Sequence, residues 1–117
     1  MRRRVAAVLL GLLASVPGAG PALAQPAGVP AEADRLLWCS SAFYWLGFDA
    51  EENGDPVEAE IFLVWSDTLT EKGVALLTGY AGDVAALVDG YDNETVEQMA
   101  AQTFRYDLED CKALAED

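Results

Sequence analysis

Apolar residues recur at helical intervals along most of this chain, and no segment sustains the two-residue alternation of a half-buried strand. From Ala31 to about Glu52, Leu36, Cys39, Phe43 and Leu46 form one stripe. Trp38, Ala42 and Trp45 form a second, and Leu37, Tyr44 and Phe48 a third, so the helix is apolar nearly all round and should be the central, most buried one. The run Glu51 to Pro56 reads as a turn in which Gly54 supplies a positive φ, Asp55 caps and Pro56 starts the next helix. In that second helix Val57, Ile61, Val64, Trp65 and Leu69 are expected to face inward, with Glu58, Glu60, Ser66, Asp67, Thr70 and Glu71 in water. Gly73 is a candidate bend, and the Gly79 to Gly82 segment a stop.

Asp83 is placed to cap a third helix carrying Val84, Leu87, Val88, Tyr91, Thr95 and Met99 on one face. Gly90 opposes it by about 1 kcal/mol relative to alanine. After Phe104-Arg105-Tyr106, Asp107 caps a short last helix with Leu108, Cys111 and Leu114 on one side. The pattern predicts an all-α fold, a small domain of about four helices.

The start of the chain changes the compartment. Arg2, Arg3 and Arg4, the apolar run from Val5 to Val16 and the Ala22-Leu23-Ala24 tripeptide make an export leader, which is expected to be cleaved. Residues 25–31 then read as a flexible lead-in and 32–117 as one domain, periplasmic or secreted, with no membrane anchor in the mature chain. Without the leader, Arg35, Lys72, Arg105 and Lys112 stand against twenty acids, four minus twenty, a net charge of −16. Such a field repels nucleic acid and anionic headgroups and favours cations or basic partners. Cys39 and Cys111 are the two cysteines, and in an oxidising compartment they imply one structural disulfide. Closing so long a loop contributes about 4 kcal/mol.

Candidate chemistry is sparse. The chain has no histidine, no Cys-x-x-Cys, no glycine-rich phosphate loop and no nucleophile elbow, so the expectation is a non-enzyme without a cofactor. Asp49, Glu51, Asn53, Asp55 and Glu60 do fall on positions 1, 3, 5, 7 and 12 of a calcium loop, with Gly54 at its sharp turn. Against that alternative, Glu51 is long for its position, and Pro56 lacks the N–H that the loop's short β-pairing needs. An acidic helix–helix turn is therefore the principal reading and calcium the alternative. Asp83, Asp89, Asp92 and Glu94 form a second acidic group, read as a solvated helix face. The aromatic concentration offers more: Trp38, Tyr44, Trp45, Phe48 and Trp65 are candidates for a surface that meets a protein or a small apolar ligand.

Trp38-Cys39, Phe43-Tyr44-Trp45, Arg105-Tyr106-Asp107 and Cys111 together resemble small exported two-cysteine helical bacterial proteins of unknown function. That resemblance implies no activity. In size, compartment and cysteine count the chain is also similar in outline to the periplasmic acid-stress chaperones, which makes a chaperone-like role one form of the binding reading.

Overall fold

The computed structural model describes residues 25–117, and the leader assigned to residues 1–24 lies outside them. Four helices follow in order: α1 Ala31–Glu52, α2 Pro56–Ala75, α3 Val84–Ala101 and α4 Leu108–Glu116, with no strand among the described residues. Three starts are capped as the sequence predicts. Asp55 accepts from the Glu58 amide at 3.0 Å, Asp83 from Ala86 at 3.2 Å and Asp107 from Glu109 at 2.7 Å, each satisfying an amide the helix leaves free.

α1 packs against all three other helices, α2 most extensively. Eight successive residues, Leu36 to Phe43, are buried, more than two full turns with no solvent-facing side. The apolar stripes are covered all round over this stretch, together with Ser40 and Ser41, while Tyr44 and Phe48 of the third stripe beyond it are exposed. Cys39 on α1 is bonded to Cys111 on α4, with Cα atoms 5.3 Å apart and 72 positions between them in sequence, so the last helix is fastened to the first.

α2 departs from the expectation. Its inward face is Ala59, Ser66, Leu69 and Gly73, whereas Val57, Ile61 and Val64 point to solvent at 71, 46 and 54% exposure. The cause is a pair of close polar contacts with α1. Ser40 Oγ donates to the Ser66 carbonyl at 2.9 Å and Ser66 Oγ donates back to the Ser40 carbonyl at 2.8 Å. Thr70 Oγ1 also bonds Ser40 Oγ. Small residues at the seam admit the α1 side chains, so a turn of helix that would bury valine and isoleucine instead buries serine, alanine and glycine. Gly73 shows how tight the seam is: a Cβ there would sit 2.8 Å from Leu37 Cδ2 and Cγ. α2 continues without interruption through Gly73 to Ala75.

The lead-in also folds. Val29 is 3% exposed within the core, and the Gln25 side chain donates to its carbonyl at 2.5 Å, so this segment packs down just before α1 begins at Ala31. The second acidic group is only partly solvated. Asp89 is exposed, but Asp92 accepts from Ser41 Oγ at 2.5 Å and Glu94 is drawn into an interior ion pair.

Two glycines therefore respond in opposite directions. Gly73→Val forces a clash with buried Leu37 and should lower the unfolding free energy by about 2–3 kcal/mol. Gly90 has open space around its Cα, and Gly90→Ala should raise stability by about 1 kcal/mol through helix propensity alone. Urea unfolding followed by far-ultraviolet circular dichroism reads both, and a loss of stability at Gly90→Ala would contradict the open packing around α3.

Candidate functional site

The acidic turn is occupied by secondary structure. α1 continues through Glu52, so Asp49 and Glu51 stand on helix, the linker is Asn53-Gly54-Asp55, and Glu60 lies within α2. Gly54 adopts φ +80° as the turn requires, and the Asp55 amide bonds the Ala50 carbonyl at 2.9 Å. The Asp55 carboxylate is engaged in capping, and the Asn53 side chain donates to Asp49 at 3.2 Å. Among the described residues no group of three or more acids, cysteines or histidines is disposed to hold a metal ion. Asp55 and Pro56 start α2 within the span that the ligand spacing covers.

The five aromatic candidates separate. Trp38 has no exposed surface and is not part of any face the molecule presents; it is a core residue. Its ring lies against Tyr106 at 5.8 Å and Phe104 at 6.1 Å, and its Nε1 donates to Gln98 Oε1 at 2.6 Å. Because every side of α1 is covered at this level, no stripe drawn from sequence could tell an outward tryptophan from a buried one. Trp45 is half-buried and donates to the Asp92 carbonyl at 2.9 Å, while Tyr44 and Phe48 on either side of it are exposed. Trp65 is half-buried, tilted against Phe43 at 5.2 Å and edge-on to Phe62 at 5.9 Å. It also walls a groove of about 320 Å³ completed by Val57, Glu60, Ile61 and Val64. Exposed apolar residues thus lie on α1, at Tyr44 and Phe48, and in a row on α2, at Val57, Ile61 and Val64.

The interior holds a polar cluster that sequence patterning did not reveal. Asp34, fully enclosed in the first turn of α1, accepts from Tyr91 Oη at 2.5 Å, Tyr106 Oη at 2.5 Å and Arg105 Nη2 at 2.6 Å. Arg105, its side chain 5% exposed, also donates to Glu94 at 2.8 Å, and Glu94 accepts from Gln98, which in turn accepts from Trp38. One continuous run of hydrogen bonds thus joins α1, α3 and the segment before α4. Burial opposes the Arg105 charge, but Asp34 and Glu94 outweigh it and leave the guanidinium pKa above its ordinary value. Burial and the Asp34 hydrogen bond push Tyr106 up to about 12 and raise Tyr91 as well. With its oxygens shared among three donors and no exposed atom, the Asp34 carboxylate has no room to receive a substrate; its work is to hold elements in register. A weak signal for it existed, since Arg105 is one of only four cations after the leader.

Comparison of the chain with protein-family models, with characterised proteins and with solved structures gives no match.

Asp34→Ala leaves Arg105 and two tyrosine hydroxyls enclosed without their acceptor, and is expected to cost about 3–5 kcal/mol in urea unfolding. A cost below about 1 kcal/mol would mean the cluster is solvated in solution. Alkali should act on the same cluster. Unfolded, Tyr106 loses its proton near pH 10.0; folded, near 12. Between those values the folded state holds the extra proton, so its contribution is complete below pH 10 and is lost as pH rises through the window. Melting temperatures of wild type and Tyr106→Phe between pH 9 and pH 12 should show a shallower decline for the variant; equal slopes would contradict the assignment.

Proposed function

We propose that this chain is a non-enzymatic interaction module, working in the periplasm or outside the cell, whose apolar surface binds another molecule. The observation that carries the reading is the inverted distribution of residues on α2. Serine, alanine and glycine take its buried side, and Val57, Ile61 and Val64 are left in water at i, i+4 and i+7. Solvent-exposed valine and isoleucine at this spacing follow one face of a helix, the arrangement by which helices present anchors to partners. A surface selected only for solubility would place polar residues there, as most of the rest of this strongly acidic chain does.

Other features support the same reading. The leader and the Cys39–Cys111 bond fit an exported protein, since disulfides persist in oxidising compartments. The buried cluster around Asp34 is closed to substrate, and the absence of histidine throughout the chain removes the commonest general base. Tyr44 and Phe48 add a second exposed apolar area on α1.

An uncharged solvatochromic dye such as Nile red avoids the repulsion that an anionic probe would meet on this surface. The folded oxidised protein at neutral pH should raise and blue-shift its emission, and Ile61→Asp with Val64→Asp should abolish most of that signal without moving the melting temperature, because both side chains point away from the core. Dye binding absent from the native protein, or unchanged in the double variant, would reject the α2 surface as a binding face.

A further inference from the structure

We infer that the outward face of α2 seats an amphipathic helix of a partner protein that carries a row of lysines or arginines beside its apolar row. The inference rests on the binding reading above and adds the chemistry of the occupant. Helical periodicity sets Glu60, Asp67 and Glu71 along one border of the Val57–Ile61–Val64 row. All three are exposed, and none is in an ion pair among the described residues. The only cation on α2, Lys72, is turned toward α4, where its Nζ donates to the Leu114 carbonyl at 3.0 Å. The face is therefore an apolar strip about two turns long with an unneutralised acidic border that continues about two turns beyond it, about 21 Å in all. At the middle of the strip lies the groove walled by Trp65 and Ile61.

That geometry discriminates among occupants. A second copy of this chain carries a net charge of −13, and antiparallel pairing of α2 with itself sets acidic border against acidic border. Anionic lipid meets the same repulsion. A small apolar ligand would fill the groove but leave the carboxylates unused. A helix with apolar residues at i, i+4 and i+7 and basic residues along one edge satisfies both features at once, the apolar contacts supplying affinity and the charges setting orientation and partner choice.

The test uses the full oxidised protein and two synthetic helical peptides of about four turns with the same leucine row, one edged with lysine and the other with glutamate. Each peptide is labelled, and binding is read by fluorescence anisotropy. The lysine-edged peptide should bind at least about tenfold more tightly, and the advantage should shrink in high salt. The charge reversal Glu60→Lys, Asp67→Lys, Glu71→Lys should exchange the two preferences. Ile61→Asp should abolish binding of both with an unchanged circular dichroism spectrum. Equal binding of both peptides would overturn the basic-helix inference while leaving the binding face intact. Dye binding at this face with neither peptide bound would also overturn it, and loss of dye and peptides alike would remove the underlying reading as well. A dimer in sedimentation equilibrium that Ile61→Asp dissociates, or binding to zwitterionic vesicles without peptide binding, would assign the face to a different occupant and overturn the proposal.

Discussion

Covering α1 on every side is the requirement that organises this molecule. Leu36 to Phe43 present eight buried side chains in succession around the full circumference of a helix, and leaving any sector in water would expose part of that surface. Among the described residues no strand is present to do it. α2 covers one sector, α3 another and α4 the third, and the Cys39–Cys111 bond keeps the shortest of them, nine residues with little apolar surface of its own, from leaving.

The same requirement explains why polarity is distributed against habit. Where α2 approaches α1, reciprocal Ser40–Ser66 hydrogen bonds and the missing side chain of Gly73 allow close contact, so the seam is polar and small. Where α3 meets α1, the interior accepts a carboxylate, a guanidinium and two phenols, arranged so that each charge has a partner. Enclosed polar groups of this kind fix register because a shifted helix would leave them unpaired. Apolar residues displaced from these two seams reappear on the outside, and the exposed row on α2 is where that displacement is greatest.

How much of this was readable in the chain depends on the distance over which each feature is determined. The helix starts at Asp55, Asp83 and Asp107 were legible because a cap is a contact with an amide two or three residues away. The central position of α1 was legible because three stripes leave no polar face. The facing of α2 was not: it has apolar residues on opposite sides, and the choice between them was made by Ser40, 26 positions away. Asp34 was illegible for the same reason on a larger scale, its partners lying 57, 71 and 72 positions along the chain. The candidate ligands of the acidic turn follow a loop spacing, whereas local helix-starting signals at Asp55 and Pro56 set Glu60 on α2 and leave Asp49 and Glu51 on α1.

α3 packs appreciably on α1 alone, whereas α1, α2 and α4 all touch one another. The Cys39–Cys111 bond ties α4 to α1 within these three mutually packed helices, and α3 is a leaf attached to them along one side. Opening that leaf would break the hydrogen bond Tyr91 donates to Asp34 and the one Glu94 accepts from Arg105 but leave α4 in place, since Cys111 does not depend on them. Such an opening would uncover α1 on one side from Asp34 to Trp45 while leaving the outward face of α2 undisturbed. The helix held along one side alone and the helix that carries the exposed apolar row are in this way different ones.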